Sequence, residues 1–271
     1  MKRFLLILAT LLFLSGEIFS QKTDKLDFVY VGNMGVLISN GKQSLAIDAF
    51  HVFYNEAYLN PSPEQVRSLM QGHFQNYPAV EMALFTHVHG DHYYKGYGAD
   101  FVELNEKNWL VAANQSCQEA REILMGKGSG QIKEVPYDHS ELLLEKGDIK
   151  VKAFRLDHAN PSRHSGTQNV AYIATVGGCK SLHVGDTEWD AVENIFPRHK
   201  VLEEKIDVAI LPYWMLLYDD PLGHVKKYIN PRKIIATHIP PDLSDSDAEK
   251  MKELFPGIVL FQKIGEDKLS W

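Results

Sequence analysis

Cysteine is scarce in this sequence: Cys117 and Cys179 are the only two among 271 residues. Cys117 falls in a stretch with helix-like patterning, and Cys179 falls in the glycine-rich turn Gly177-Gly178-Cys179-Lys180. A disulfide framework of the kind that stabilises small secreted domains is therefore excluded, and two free thiols are predicted. Neither cysteine has the spacing of a metal ligand.

Runs of basic residues are also missing, and the formal net charge is −7. A protein that binds nucleic acid usually carries a positively charged patch that neutralises backbone phosphates. The sequence therefore predicts no nucleic-acid partner. The hydrophobic content of 45% is ordinary for a globular protein with a sizeable core.

Long apolar runs are absent except near the start of the chain. Two basic residues precede the apolar run Phe4–Leu14, and polar sequence follows Ser20. This is the layout of a secretory signal peptide, and the run is too short to span a bilayer comfortably. We therefore expect cleavage after residues 1–20, which leaves 21–271 as one periplasmic or secreted domain without a stable membrane anchor. An uncleaved anchor is the alternative, because Ile18 is not the small residue usually preferred near the cut.

The rest of the chain alternates between β-like runs and helix-like segments. The β-like runs are Asp27–Val31, Gly35–Ser39, Gln43–Asp48, Ala79–Thr86, Trp109–Ala113, Gln131–Val135, Ile149–Leu156, Asn169–Val176, Lys180–Val184, Ile206–Leu211, Lys233–Thr237 and Gly257–Phe261. The helix-like segments are Ser62–Phe74, Ser116–Met125, Leu222–Ile229 and Ser246–Leu254. Many strands with helices dispersed between them favour sheets covered by helices, in one α/β (α+β) domain.

The most informative segment is Phe85-Thr86-His87-Val88-His89-Gly90-Asp91-His92, at the end of an apolar strand. Imidazole and carboxylate groups are ligands that borderline divalent metals such as zinc prefer. Residues i and i+2 at a strand end project the same way, so His87 and His89 can hold one ion. We interpret Gly90 as a tight turn that lets Asp91 and His92 face a second position. A polar surface cluster is the alternative, but four such side chains seldom crowd a hydrophobic strand end without a metal.

More candidate ligands follow β-like runs elsewhere in the chain. They are Asp48, His158, Asp186 and His238. Taken singly, each is more often a turn or capping residue than a ligand. Their shared position just past a strand favours a common site, because side chains at the strand ends of packed sheets converge along one edge.

Together these motifs resemble the metallo-β-lactamase superfamily. The resemblance lies in His-x-His-x-Asp-His, followed by a lone His, a Gly-Asp and a final His, with an early Asp at a strand end. It runs from about Val31 to Pro241 and covers most of the chain. It implies a four-layer αββα sandwich, with metals at one edge of the two sheets.

The resemblance also implies a role for each candidate ligand. Two groups of three would each hold one metal: His87, His89 and His158, and then Asp91, His92 and His238. Asp186 would bridge the two metals, and Asp48 would orient the histidine loop from behind the ligands. Asp91 and Asp48 are the carboxylates expected to serve catalysis.

Within the superfamily, Val31–Ile38 and Leu45–Asp48 are similar to one branch, as is Leu211-Pro212 before the final His. That branch contains L-ascorbate-6-phosphate lactonase-like and N-acyl-phosphatidylethanolamine phospholipase D-like proteins. Zinc β-lactamases commonly place Cys where this chain has Asp186, so antibiotic hydrolysis is not expected.

The implied function is hydrolysis of an ester bond, a phosphodiester or a lactone, in a small molecule. Two divalent ions, zinc in preference to iron or manganese, would lower the pKa of a bridging water to about 7 and so supply a hydroxide nucleophile. Ligand types alone do not separate zinc from iron. Iron-dependent redox or oxygen chemistry therefore stays open, as does a metal-loaded protein that binds a ligand without turnover.

Four residues are further candidates for contact with substrate: Trp214, Tyr218, His164 and His224. Trp214 and Tyr218 belong to an aromatic stretch that would form an apolar wall beside the metals, or else close the core. His164 follows His158 in a loop that would overhang the site. Both His164 and His224 have the alternative of being ordinary loop residues.

Overall fold

Two mixed β-sheets of seven strands each form the centre of the protein. The computed structural model describes residues 25–271, so the predicted signal peptide over 1–20 lies outside the described residues. The strands are β1 (Asp27–Gly32), β2 (Gly35–Ser39), β3 (Ser44–Ile47), β4 (Val80–Phe85), β5 (Trp109–Ala113), β6 (Ile132–Val135), β7 (Glu141–Lys146), β8 (Ile149–Arg155), β9 (Val170–Val176), β10 (Cys179–His183), β11 (Val208–Pro212), β12 (Lys233–Thr237), β13 (Val259–Leu260) and β14 (Lys268–Ser270).

The same pairing pattern builds both sheets. The first sheet has the order β14-β1-β2-β3-β4-β5-β6, and the second has the order β7-β8-β9-β10-β11-β12-β13. In that direction each sheet has three antiparallel pairings followed by three parallel ones. The last strand returns to the first sheet, where Ser270 of β14 lies opposite Asp27 of β1.

Alternate side chains of a strand point to opposite faces, and in strands such as β1, β2 and β3 both faces are buried. In β1, Phe28 and Tyr30 pack against the second sheet, whereas Val29 and Val31 pack against helices. This double burial explains why the β-like runs are continuously apolar instead of alternating.

Helices cover the outer face of each sheet. They are α1 (Pro63–Gln71), α2 (Lys95–Leu104), α3 (Asn114–Leu124), α4 (Pro161–His164), α5 (Trp189–Ile195), α6 (Tyr213–Leu216), α7 (Pro221–Tyr228) and α8 (Asp245–Leu254). Short 3-10 turns occur at Phe74–Asn76, Ser129–Gln131 and Val201–Glu204. Helices α1 to α3 pack on the first sheet and α5 to α8 on the second. The predicted four-layer αββα sandwich is confirmed.

Helix α1 is shorter than the predicted Ser62–Phe74. Ser62 caps its start by accepting a hydrogen bond from the Gln65 backbone, and the Gln65 side chain accepts one from the Ser62 backbone. Gly72 then takes a left-handed conformation, with φ 78°, and ends the helix. The apolar face formed by Val66, Leu69 and Met70 is buried as predicted.

Cys117 and Cys179 are both free, as predicted, and both are buried. Cys117 lies in α3 and packs against the first sheet, whereas Cys179 packs between the two sheets. Within residues 25–271, the helices are too short or too polar for any of them to cross a membrane.

Candidate metal centre

The predicted ligands meet at one edge of the sandwich, where strands from both sheets end. His87 and His89 follow β4, His158 follows β8, Asp186 follows β10 and His238 follows β12. Three groups of side chains bring their ligand atoms within 4.8 Å of one another: His87, His89 and His158; His87, His92 and Asp186; Asp91, His92 and His238. The middle group shares one histidine with each of the others, so the three groups form a continuous cluster.

Asp186 occupies the centre of this cluster. Its Oδ1 lies 3.3 Å from His92 Nε2, and its Oδ2 lies 3.4 Å from His238 Nε2 and 3.9 Å from His158 Nε2. The Asp91 Oδ2 atom lies 3.5 Å from His92 Nε2 and 3.6 Å from His238 Nε2. Asp186 therefore contacts histidines of both predicted metal sites, which is the position that a bridging carboxylate needs.

Hydrogen bonds decide which ring nitrogen of each histidine faces the cluster. His158 Nδ1 lies 2.7 Å from the Ala159 carbonyl oxygen, and His87 Nδ1 lies 3.0 Å from Thr86 Oγ1. The opposite nitrogens, Nε2 of His87 and His158, are buried and have no hydrogen-bond partner among the described residues. His238 Nε2 is also buried, and the nearest oxygens of Asp186 and Asp91 lie 3.4 and 3.6 Å from it. Buried polar atoms seldom lack a partner, so the Nε2 atoms of His87 and His158 fit metal coordination.

A single carboxylate, Asp48, orients the histidine loop from behind. Its Oδ1 accepts a hydrogen bond from the Thr86 backbone N–H at 2.7 Å, and its Oδ2 accepts one from the Thr86 hydroxyl at 2.6 Å. The same Oδ2 lies 2.9 Å from His92 Nδ1. Since the Thr86 hydroxyl donates to Asp48, it accepts from His87 Nδ1, so Asp48 orients His92 directly and His87 through Thr86. The resemblance placed Asp48 in this position behind the ligands.

Asn33 also belongs to the site, although the sequence showed it only as a turn residue beside Gly32. Its Nδ2 donates to Asp91 Oδ2 at 3.0 Å and to the Asp91 carbonyl oxygen at 3.1 Å. The signal was weak, because 58 residues separate the two positions. Thr167 was missed for the same reason: its hydroxyl lies 3.3 Å from His89 Nε2, which leaves His89 Nδ1 to face the cluster.

Charges within the cluster balance one another in the metal-free protein. Burial lowers the pKa of His238, but the Asp186 and Asp91 carboxylates outweigh it and raise the pKa to about 9. The same carboxylates raise the pKa of His92 well above its ordinary value, again against burial. Burial and the neighbouring His92 hold the pKa of His87 well below its ordinary value. Two protonated histidines thus oppose two carboxylates, and a metal would displace those protons.

The donor set as a whole fits two transition-metal ions. Imidazole nitrogens and carboxylate oxygens supply its ligand atoms, and the Nε2 atoms of His87 and His158 have no hydrogen-bond partner among the described residues. Such ligands suit zinc, iron or manganese.

Gly90 lies in the tight turn that the sequence predicts, since the backbone N–H groups of His92 and Tyr93 both donate to the His89 carbonyl oxygen, at 3.0 and 2.9 Å. The turn does not require a positive φ at Gly90. A Cβ atom at this position would lie 2.9 Å from Cδ2 of Tyr54. Glycine therefore also leaves space for the Tyr54 ring to pack on the backbone of the histidine loop.

The structure brings two of the four predicted substrate residues to the cluster. The Trp214 ring lies 4.8 Å from the His238 ring. The His164 ring lies 4.5 Å from the His158 ring and 5.0 Å from the His89 ring.

Tyr218 and His224 lie elsewhere. Their rings are 5.9 Å apart, and His224 packs against Trp189 at 5.1 Å. Within residues 25–271, neither forms a ring contact with a candidate ligand histidine.

Tyr58 is a residue at the site that the sequence did not reveal. Its ring meets the His238 ring edge-on at 4.9 Å. Burial, followed by the charges of Asp91 and Asp186, raises the pKa of the Tyr58 hydroxyl. This hydroxyl therefore stays protonated at neutral pH.

Comparison with known proteins identifies the family to which the chain belongs. The Beta-lactamase superfamily domain family matches residues 27–238, which include every candidate ligand. The chain belongs to the beta-lactamase superfamily. A UPF0173 metal-dependent hydrolase from Thermus thermophilus is 25% identical over 238 residues, which cover 81% of this chain and 87% of the relative.

Two solved structures show the same superfamily fold. Igni18, a metallo hydrolase from Ignicoccus hospitalis, matches with a TM-score of 0.60 at 15% identity and covers 91% of this chain and 98% of its own. CmlA, a diiron beta-hydroxylase from Streptomyces venezuelae, matches with a TM-score of 0.54 at 12% identity and covers 91% of this chain and 54% of its own. At these identities the likeness concerns the fold alone.

Proposed function

We propose that this superfamily member is an exported hydrolase with a dinuclear metal centre that cleaves a phosphodiester or a lactone. The observation that carries the proposal is the continuous cluster of His87, His89, Asp91, His92, His158, Asp186 and His238, in which the buried Nε2 atoms of His87 and His158 have no hydrogen-bond partner among the described residues. The Thermus thermophilus relative, named as a metal-dependent hydrolase, supports the reaction class.

The metals, when bound, would polarise the ester bond and make a water molecule nucleophilic at neutral pH. The protein's own residues would keep the ligands in fixed orientations. Asp48 holds His92 in place. The Asn33 side-chain amide donates to both the carboxylate and the backbone carbonyl oxygen of Asp91. Asp186 places a negative charge between the two groups of histidines, where it offsets part of the metal charge.

The two thiols offer no competing nucleophile at this cluster. Burial raises the pKa of Cys117 and of Cys179 to about 12, so neither thiol ionises near neutral pH. Both lie in the core and not among the candidate ligands. The Tyr58 ring contacts the His238 ring, and its hydroxyl remains protonated, so Tyr58 would be available as a donor to a substrate oxygen.

Export is the second part of the proposal. It rests on the signal-peptide layout of residues 1–20, in which basic residues precede a short apolar run and polar sequence follows. Intact mass of protein recovered from the periplasm or medium of a bacterial host would test it. We expect a chain that begins at or near Gln21. A mass equal to the full chain with Met1 retained would contradict export with cleavage.

Metal content and hydrolysis together test the metal centre. The purified protein is stripped, reconstituted separately with zinc, iron and manganese, and analysed for metal per chain. Each form is then assayed on bis(4-nitrophenyl) phosphate and on an aliphatic lactone. We expect two ions per chain and hydrolysis of at least one substrate class.

A matched pair of histidine variants completes this experiment. His87→Ala removes a residue shared by two of the ligand groups, whereas His139→Ala changes an exposed histidine outside the cluster. We expect only the first to lose metal and turnover. One ion or none in the reconstituted wild type would contradict the dinuclear centre. Oxygen-dependent turnover of the iron form alone would favour the redox alternative.

A further inference from the structure

The segment that joins β3 to α1 carries two exposed aromatic side chains, and one of them, Tyr54, lies beside the candidate ligands. Phe53 and Tyr54 are 68% and 55% exposed, so they take no part in the core. Burying a large aromatic side chain stabilises a protein substantially, and exposing two in succession forgoes that stabilisation. The position of Tyr54 leaves its ring available for contact with a ligand of the cluster.

Tyr54 lies against the metal-binding loop itself. Its ring packs beside Gly90, the residue between His89 and Asp91 in the sequence. A Cβ atom at Gly90 would lie only 2.9 Å from Tyr54 Cδ2. The Tyr54 ring centroid is 6.0 Å from that of Tyr58, at a tilt of 42°. This geometry joins an exposed ring to a partly buried one at the spacing of an aromatic pair.

Tyr58 and Trp214 continue this surface around His238. Tyr58 contacts the His238 ring at 4.9 Å and 90°, and Trp214 contacts it at 4.8 Å and 72°. The Trp214 indole N–H donates to the Thr187 carbonyl oxygen at 2.9 Å, which fixes the orientation of the ring. We call Tyr54, Tyr58 and Trp214 the aromatic track, since it leads from solvent to the candidate ligands.

The chemistry of the track differs from that of the metal cluster. The cluster would bind a polar or anionic head, whereas ring faces attract flat apolar groups. A ligand that reaches both therefore has a polar reacting end joined to an aromatic or planar apolar group. A partner protein or a lipid surface would not need the contact between Tyr54 and Gly90 in the metal-binding loop.

We propose that the aromatic track binds an aromatic or planar apolar group of the ester substrate, with the ester directed at the metal centre. The proposal rests on the proposed metal-dependent hydrolysis. It replaces the wall predicted from Trp214 and Tyr218, because Tyr54 and Tyr58, and not Tyr218, lie next to the cluster.

Binding of two phosphonates to the zinc-loaded protein tests the proposal without turnover. Phenylphosphonate and methylphosphonate share the anionic head, lack an ester bond and differ in the aromatic ring. By calorimetry we expect the wild type to bind phenylphosphonate about three- to tenfold more tightly than methylphosphonate, which is the gain in affinity that one aromatic pair provides. Tyr54→Ala should reduce this ratio to about one and leave methylphosphonate affinity within about twofold.

Two further variants separate the ring from its surroundings. Tyr58→Phe keeps the ring and should keep the ratio, whereas Tyr58→Ala should lose it. Tyr218→Ala is the matched control, because Tyr218 is an exposed tyrosine outside the track. Metal content and melting temperature of each variant establish that it is folded and loaded.

Each contrary outcome has a distinct meaning. Equal affinity of the wild type for both phosphonates, or a ratio unchanged in Tyr54→Ala, overturns the aromatic subsite alone. If neither phosphonate binds, the metal centre of the proposed function fails and the subsite fails with it. An unchanged ratio together with Tyr54-dependent binding to phosphatidylcholine–phosphatidylglycerol vesicles also overturns the proposal and assigns the exposed rings to a lipid surface.

Discussion

The Asp48 carboxylate holds the His92 imidazole through a 2.9 Å contact between Oδ2 and Nδ1, and neither side chain is exposed to solvent. Asp48 adopts a left-handed backbone conformation, with φ 49°, immediately after β3. The same carboxylate accepts hydrogen bonds from the backbone N–H and the hydroxyl of Thr86. One residue outside the ligand set thus determines the orientation of the loop that carries four candidate ligands.

Asp48→Asn is expected to weaken metal binding by about 10- to 100-fold, the usual cost of losing a group that orients a histidine ligand. An amide has one acceptor oxygen, so its NH2 group would face either the Thr86 backbone N–H or the pair formed by the Thr86 hydroxyl and His92 Nδ1, donor against donor. Competition with a chromophoric chelator measures the affinity. Asp27→Asn is the control, since Asp27 binds Ser270 and Tyr77 far from the cluster. Unchanged metal affinity in Asp48→Asn would remove Asp48 from this role.

Asp186→Ala is expected to reduce turnover by more than about a hundredfold while the protein stays folded. Asp186 contacts histidines of both groups, so its loss removes the negative charge between them. Metal analysis, melting temperature and hydrolysis rate are measured together. Asp190→Ala, an exposed carboxylate at the start of α5, provides the comparison and should behave as the wild type. Near-normal turnover in Asp186→Ala would contradict the bridging assignment.

Chelation is expected to lower the melting temperature by about 5 to 10 °C. A metal present at about 100 times its Kd stabilises the folded state by about 2.7 kcal/mol, and each kcal/mol shifts the melting temperature of a chain this size by about 2–4 °C. The comparison is a thermal melt with and without EDTA. In His87→Ala the EDTA shift should shrink, because His87 belongs to two ligand groups. An equal shift in both proteins would mean that the chelator acts elsewhere.

The two thiols are expected to stay unreactive in the folded protein. Burial raises the pKa of both Cys117 and Cys179 to about 12, so the thiolate is a minor species at pH 8. Ellman's reagent should label neither cysteine in native conditions and both in guanidinium chloride. Rapid labelling of the native protein would show that one of these segments opens readily.

Glu204→Gln is expected to destabilise the protein by about 1–2 kcal/mol at pH 7, through loss of hydrogen bonds to charged groups. Burial raises the pKa of Glu204, but hydrogen bonds from Lys180 and Lys152 outweigh it and hold the pKa below 4.5. The Glu204 carboxylate therefore contributes stability above its unfolded pKa, and this contribution is lost as the pH falls through the lower folded value.

Urea denaturation at several pH values measures this dependence. The difference between wild type and Glu204→Gln should shrink as the pH is lowered below about 4. Glu203→Gln is the neighbouring control, because the Glu203 side chain is 72% exposed and forms only a 3.9 Å pair with Lys200. A difference that is constant from pH 7 to pH 3 would contradict the ionic explanation.

The ligand set was accessible to sequence reasoning because each ligand follows a strongly apolar strand. The bounds of β2, β5 and β12 were predicted as they occur, and the residues just past β4 and β12 carry the chemistry. Other strands end one residue from the predicted bound, as β4 does at Phe85 and not at Thr86, which still places the candidate ligands just past the strand.

Other features depended on contacts that no local pattern records. Helix α2 was not predicted, because Gly96 and Gly98 weaken the helical signal. Gly98 leaves room for the Tyr93 ring, since a Cβ atom at this position would lie 2.8 Å from Tyr93 Cε2. Strand β7 and helix α5 were not predicted either. Tyr58 joins the site only because the fold brings it to His238, which lies 180 positions further along the chain.

The pairing of β14 with β1 has a consequence for the order in which the protein assembles. Leu26 and Trp271 exchange backbone hydrogen bonds at 2.8 and 3.3 Å, so the edge of the first strand is covered by a segment that is synthesised after all the other described strands. Until β14 is synthesised, β1 presents an unpaired edge to other nascent chains. Removal of β14 would leave that edge open permanently and favour aggregation, even though the candidate ligands lie elsewhere.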